Sequence, residues 1–307
     1  MRNVKVLDSK KDLALIVSEQ PCVAAAVYTM NRVKAAPLYV TMDHLENGEA
    51  QGIVANSGNA NACAPNSHEH AERMCQLAAA ATGLKPGDFV VASTGVIGQE
   101  LNIAAIEKGM PEAARALSRD GSDAAANAIM TTDTVKKEMS VTCAIGGKTV
   151  TIGAIAKGSG MILPNMGTML CFVTTDCAVT HELLSEALHE IIPRTFNRVT
   201  VDGDTSTNDM CVVLANGMAE NPLIEWKDDS YTVFFKTLHH VFEQLARSIA
   251  ADGEGASKLI TCRVHHARSE ESAERLSKAV VGSSLVKAAM FGSDANWGRV
   301  LCAMGYS

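Results

Sequence analysis

Short apolar runs separated by polar breaks recur along the chain and predict β-strands. In the N-terminal part these runs cover residues 13–18, 23–29, 37–41, 51–55 and 88–92. Later runs of the same kind cover 140–144, 148–156, 169–173, 210–215 and 285–291. Gly146 and Gly147 separate two of the runs, and a Gly-Gly pair in that position is typical of a tight β-hairpin.

Apolar residues at helical spacing predict helices between these strands. The helices are expected at 67–82, near 101, and at 122–130, 180–192, 231–250 and 272–280. Ser67 and Thr180 suit the N-caps of two of them, and Gly83 and Pro193 suit the ends of the same two. Strands interspersed with helices predict an α/β layered sandwich, with a first region at 1–179 and a second α/β region at 180–307.

Composition excludes several classes of protein. The 307 residues carry a net charge of −7 without a basic block, which argues against a nucleic-acid partner. The N-terminal segment contains an apolar run too short for a signal sequence or a membrane span. The nine cysteines include no C-x-x-C pair and stand mostly among apolar or small residues, as buried free thiols do. These features predict a soluble protein of the reducing cytoplasm.

The candidate chemistry lies in the segment from Lys157 to Asp176, which reads KGSGMILPNMGTMLCFVTTD. Thr168 follows Gly167 and precedes an apolar run, an arrangement suited to a backbone that cuts itself. Attack of the Thr168 hydroxyl on the Gly167 carbonyl would leave Thr168 as a new N-terminus. Its α-amine, with an ordinary pKa of about 7.7–8.0, could then take the hydroxyl proton. From the dipeptide alone, a plain loop-to-strand boundary is the more common interpretation.

Acidic residues cluster in the segment DGDTSTND at 202–209 and raise the question of a metal site. The EF-hand template requires glycine and glutamate where this segment has Thr207 and Val213, so calcium is rejected. We expect no metal here, and a hydrogen-bonded loop beside the reactive segment.

Seven segments of the chain form a distinctive set. They are NSGNANAC (56–63), STGVIG (93–98), AIMTTDT (128–134), KGSGMILPNMGTML (157–170), DGDTSTND (202–209), DGEGASKLI (252–260) and FGSDANWGR (291–299). The set resembles, in the same order, the ornithine acetyltransferase (glutamate N-acetyltransferase) family of arginine biosynthesis. The resemblance covers nearly the whole chain, but members of that family typically continue further at the C-terminus.

The resemblance implies a self-processing fold of the N-terminal-nucleophile type, cut between Gly167 and Thr168. It implies Thr168 as the nucleophile, and Thr94 and Gly95 as the oxyanion hole. The substrate-binding residues that it implies are Thr131, Lys157, Thr168 and Glu254. Without the family, STGVIG would be interpreted as a simple turn, Lys157 as a solvated surface lysine and Glu254 as part of a helix-terminating loop.

The activity implied by the resemblance is ping-pong acetyl transfer from N-acetylornithine to glutamate through an acetyl-threonine intermediate. The partners would be small amino-acid substrates, no cofactor would be needed, and acetyl-CoA stays open as a second acetyl donor. The family suggests an assembly of two α and two β fragments. Two alternatives stay open: an aminopeptidase or amidase with the same N-terminal threonine, and a relative that binds amino acids without turnover.

Overall fold

The structure, a computed structural model, describes residues 11–163 and 169–307. Within these ranges the chain forms a seven-stranded sheet of order β3-β2-β1-β7-β6-β5-β4. The strands are β1 (Leu13–Tyr28), β2 (Glu49–Asn56), β3 (Phe89–Ser93), β4 (Lys137–Ile145), β5 (Lys148–Lys157), β6 (Leu170–Thr175) and β7 (Met210–Ala215). The helices of the same ranges are α1 (Ala36–His44), α2 (Ser67–Thr82), α3 (Ile103–Arg115), α4 (Ser122–Ala128), α5 (His181–Ile191), α6 (Asp229–Ala251), α7 (Glu270–Gly282), α8 (Ser284–Phe291) and α9 (Trp297–Gly305).

The sheet lies between layers of helices because its central strands are apolar on both faces. Every residue of β7 is buried, and successive side chains of a strand point to opposite faces. Cys211 and Val213 join the apolar core that α5 and α6 complete. Val212 and Leu214 join the core that α1 and α4 complete on the other face. The predicted α/β layered fold is therefore confirmed.

Strand direction brings distant segments of the sequence together. β6 pairs in parallel with β7, and β2 with β3, whereas the other neighbouring strands of the sheet are antiparallel. β7 lies between β1 and β6, so residues after 180 contribute a central strand to this sheet. The division into regions at 1–179 and 180–307 stays a prediction.

Two predicted strands are helices. Residues 37–41 lie in α1, where Pro37 occupies the first turn, a position that needs no backbone N–H donor. Residues 285–291 lie in α8, and the hydroxyl of Ser283 caps that helix by accepting from Val286 N at 3.3 Å. Short apolar runs fit both a buried strand and a buried helix, so the pattern alone predicted the wrong element.

Other predictions needed smaller changes. The runs at 13–18 and 23–29 belong to one strand, β1, whose register against β2 shifts between Val17 and Cys22. Ser67 is the first residue of α2 and Asn66 its N-cap. The cap by Thr180 and the C-cap by Gly83 are confirmed, as is the hairpin at Gly146 and Gly147, both with positive φ.

Candidate functional site

Several of the segments singled out in the sequence meet where strands begin or end. Lys157 closes β5 and pairs with Leu170, which opens β6. Leu170 pairs in turn with Met210, which opens β7. The side chain of Asn208, just before β7, donates to the carbonyls of Ala60 at 2.6 Å and Ser93 at 2.8 Å. These contacts tie the start of β7 to the two loops that carry NSGNANAC and STGVIG.

The turn after β3 presents Thr94 and Gly95. The backbone N–H of Thr94 donates to the carbonyl of Asn56 at 3.0 Å, so this N–H is already occupied. Gly95 has φ +135°, and a Cβ at this position would lie 2.2 Å from the carbonyl carbon of Gly58. Both the positive φ and this close backbone contact require glycine. Among the described residues, no acceptor is found for the N–H of Gly95.

Lys157 is buried, with 3% of its surface exposed, so it is not a solvated surface lysine. Its Nζ donates to the hydroxyl oxygen of Thr94 at 3.2 Å. Burial lowers the pKa of Lys157, and the nearby carboxylates of Asp133 and Asp209 oppose that shift. Because the Thr94 oxygen accepts from Lys157, its own proton remains available for another acceptor. Thr94 and Lys157, which are 63 residues apart, thus form one polar pair.

Thr131 is held close to Lys157 through Asp133. One carboxylate oxygen of Asp133 accepts from Gly158 N at 2.7 Å, and the other accepts from Thr131 N at 3.1 Å. Burial alone would raise the pKa of Asp133, but the charges of Lys157 and Lys137 and the bond from Gly158 hold this pKa below its usual range. Asp133 is therefore an anion that binds the backbone on both sides of the site.

Glu254 lies next to the glycine loop that follows Lys157. Its backbone N–H donates to the Ser159 carbonyl at 2.8 Å, and the Ser159 hydroxyl is 2.7 Å from that of Thr132. The side chain of Glu254 is exposed, and a Cβ on Gly160 would lie 2.5 Å from the carboxylate carbon of Glu254. The absence of a side chain at Gly160 therefore makes room for this carboxylate.

The acidic loop at 202–209 is hydrogen-bonded to the reactive segment, as expected. Asp209 accepts from Met169 N at 2.7 Å, and Asp202 accepts from Ile162 N at 2.9 Å. Asp209 is 1% exposed, and burial raises its pKa well above the ordinary value. Its second carboxylate oxygen has no hydrogen-bond partner among the described residues. Sequence reasoning recognised the loop but not the individual role of Asp209.

The predicted cleavage site, Gly167 and Thr168, lies outside the described residues, so its predicted roles stay predictions. Of the other candidates, Thr94, Gly95, Thr131, Lys157 and Glu254 lie on the hydrogen-bonded segments just described. Within residues 11–163 and 169–307, no three histidine, cysteine or acidic side chains are arranged to hold a metal ion. No helix in that part of the chain is both long enough and apolar enough to cross a membrane.

Comparison with known proteins gives consistent matches. A sequence model of the ArgJ family matches residues 1–307. The arginine biosynthesis bifunctional protein ArgJ of Symbiobacterium thermophilum is 56% identical over 299 residues, which cover 97% of this chain and 74% of that protein. ArgJ 1 of Clostridium acetobutylicum is 49% identical over 301 residues, covering 98% of this chain and 74% of that protein.

Two solved structures are also similar. The ArgJ crystal structure from Bacillus halodurans is 42% identical, with a TM-score of 0.48, and the match covers 51% of this chain and 83% of that one. The ornithine acetyltransferase of Mycobacterium tuberculosis in complex with ornithine is 32% identical, with a TM-score of 0.44. This match covers 50% of the present chain and 82% of that one.

Proposed function

The chain belongs to the ArgJ family, and from that membership we infer that it is an acyltransferase of arginine biosynthesis. The resemblance stated from its sequence motifs is thereby confirmed. The reaction is transfer of acetyl from N-acetylornithine to glutamate, giving ornithine and N-acetylglutamate. The observation that carries this conclusion is the family match over the whole chain, together with identities near one half to curated ArgJ proteins.

We propose Thr168 as the nucleophile, freed by cleavage of the Gly167–Thr168 bond. Its hydroxyl attacks the acetyl carbonyl while its own α-amine takes the proton. The C–N bond to ornithine then breaks, and the departing nitrogen receives that proton. Glutamate's amine attacks the acetyl-threonine ester in the second half-reaction and regenerates the hydroxyl. The proposal requires no metal or cofactor. Support from the described residues comes from Asp209, which fixes the backbone N–H of the next residue, Met169.

The oxyanion of each tetrahedral intermediate is assigned to the hydroxyl of Thr94 and the backbone N–H of Gly95. The N–H of Thr94 is excluded because it already donates to Asn56. The hydroxyl is suited to the role because Lys157 donates to its oxygen, which leaves the proton to point at the substrate. A cation behind this hydroxyl also makes it a stronger donor toward developing negative charge.

Substrate recognition is assigned to Thr131, Lys157 and Glu254. N-acetylornithine and glutamate share an α-carboxylate, for which Lys157 is the cationic partner. The distal amine occurs only in the ornithine substrate, and Glu254 is the exposed carboxylate beside the same loop. Gly160 supports this assignment because it leaves the space that the Glu254 carboxylate occupies.

Self-cleavage, the cellular compartment and the assembly complete the proposal. We place the enzyme in the cytoplasm, since all nine cysteines are unpaired. We propose that cleavage gives two fragments, and that two copies of each associate.

Intact mass under denaturing conditions tests cleavage: two fragments that meet between Gly167 and Thr168 are expected, and a single chain for Thr168→Ala. A wild-type chain still uncut after long incubation at neutral pH would contradict the proposal.

The activity is tested by incubating the processed protein with N-acetylornithine and glutamate and measuring ornithine and N-acetylglutamate. Equal release of both products is expected. Acetate release with water as the only acceptor would favour the aminopeptidase or amidase alternative, and binding without turnover would favour the non-catalytic one. Replacing N-acetylornithine by acetyl-CoA tests the second acetyl donor.

A further inference from the structure

A second set of buried charges lies behind the substrate-binding residues and is absent from the reaction described above. It consists of Asp133, Lys137 and Asp252, whose side chains are 0%, 2% and 4% exposed. Lys137 Nζ donates to Asp133 at 2.8 Å, to Asp252 at 2.6 Å and to the Val135 carbonyl at 3.2 Å. All three protons of this ammonium group are therefore used inside the protein.

Each carboxylate of this set also binds backbone that leads to the site. Asp133 holds Thr131 N and Gly158 N, and Gly158 directly follows Lys157. Asp252 caps the end of α6 and accepts from Thr134 N at 3.0 Å and from the Thr134 hydroxyl. Glu254 is two residues beyond Asp252. Thr131 is therefore bound by this set directly, Lys157 is one residue from the bound Gly158, and Glu254 is two residues from Asp252 itself.

The charges balance in a specific way. Asp133 faces two cations, Lys137 and Lys157, whereas Asp252 faces Lys137 alone. If Asp252 were neutral, the positive charge of Lys137 would be balanced by Asp133 alone. The negative charge of Asp133 would then compensate less of the positive charge of Lys157. Besides Asp133, the charged groups that face Lys157 are Lys137, whose positive charge lowers the pKa of Lys157, and the carboxylates Asp209 and Glu254, from the loop before β7 and the loop after α6.

We propose that Lys137 and Asp252 are positioning residues for substrate binding. They fix the positions of the loops that carry Thr131, Lys157 and Glu254 relative to one another. Asp252 also balances the charge of Lys137, so that the negative charge of Asp133 acts mainly on Lys157. Neither residue touches substrate. This inference rests on the proposed function, because the readout is binding of the two amino-acid substrates.

The test is Asp252→Asn, which preserves the shape of the side chain and removes its charge. Asp252 bonds directly to Thr134, Val135 and Lys137. Within the described residues it reaches Thr94 only through the charges of Lys137, Asp133 and Lys157. Self-cleavage should therefore be slowed at most, and KM is measured on the processed form. KM for both substrates should rise by about 10- to 100-fold, as displacement of binding groups does, with a smaller change in kcat. The alkaline limb of kcat/KM should move to lower pH, because the pKa of Lys157 falls when less negative charge surrounds its ammonium group.

A matched control is Asp123→Asn. Asp123 pairs with Lys136, the neighbour of Lys137, but these side chains are 64% and 41% exposed. An exposed ion pair contributes little to the stability of the segments that it joins. This variant should therefore match wild type in KM and in the pH dependence of kcat/KM. Asp252→Glu, which restores the charge, should recover part of the lost affinity.

A processed Asp252→Asn enzyme with wild-type KM values and an unshifted alkaline limb would overturn the proposal. If this variant does not fold, Thr134→Val decides, because it removes one hydroxyl bond to Asp252 and keeps every charge. A rise in KM, smaller than that expected for Asp252→Asn, supports the proposal, and wild-type values reduce Asp252 to a structural role. A wild-type enzyme that neither binds nor turns over the substrates would instead refute the proposed function.

Discussion

Replacing Gly160 by alanine should impair binding of one substrate and spare the other. A Cβ at this position would lie 2.5 Å from the carboxylate carbon of Glu254, whereas two carbons in contact need about 3.5 Å. The carboxylate must therefore retreat by about 1 Å, which the flexible Glu254 side chain can do at little cost in folding stability. At an effective dielectric constant of about 20, lengthening an ion pair from about 3 to about 4 Å costs about 1.4 kcal/mol, a factor of about ten in affinity.

The assay is steady-state KM for N-acetylornithine and for glutamate, each at saturating partner substrate. Gly160→Ala should raise KM for N-acetylornithine about tenfold, leaving KM for glutamate unchanged or lower. Gly87→Ala is the control, since a Cβ there meets no atom within 4 Å. An equal rise for both substrates would refute the reasoning and would mean that Glu254 orders the loop without reading the distal amine.

Three further predictions concern the buried polar groups of the site. Thr94→Ala should lower kcat by about 10²–10³ at nearly constant KM, because the hydroxyl acts in the transition state; Thr94→Ser should retain most of kcat in the same assay. Lys157→Ala should weaken both substrates by about 2–5 kcal/mol as measured by KM, and a loss confined to one substrate would argue against a shared α-carboxylate contact. Asp209→Asn should stabilise the fold at pH 7 in urea unfolding. Burial raises the pKa of Asp209 in the folded protein, so ionisation above its ordinary value of 3.8 costs stability. The gain should vanish below that pH, and a variant no more stable than wild type at pH 7 would argue against this cost of burial.

Part of this site could be predicted from the sequence because several of its residues stand in short, recognisable motifs. Gly95 stands in a motif, and the structure gives the physical reason in a backbone contact with Gly58. Lys157 and Glu254 were identified by the resemblance of their motifs to the family, since the residues alone predicted a surface lysine and a helix-terminating loop. Motif order thus identified side chains that the chain brings together across more than sixty residues.

Other features could not be predicted because their partners are distant and their surroundings give no local pattern. Lys137 opens a strand next to the exposed Lys136, and nothing in the sequence indicates that only one of the two is buried against Asp252. The helices α1 and α8 were missed for a different reason. Their apolar runs are short enough to fit either period, and packing decided between the two.

The strand order has a consequence for a chain that is cut between residues 167 and 168. β6 and β7 come after the cut, yet they are inserted between β1 and β5, which precede it. The two polypeptides would be interleaved, each completing the hydrogen bonding of the other, with β6 bonded to β5 on one side and β7 bonded to β1 on the other. Neither could leave without exposing four rows of unpaired backbone groups at the middle of the sheet. A single cleavage would thus turn one chain into two polypeptides that stay together as an obligate pair. Buffer exchange would not separate them, and mixing two separately folded fragments would not readily restore the sheet.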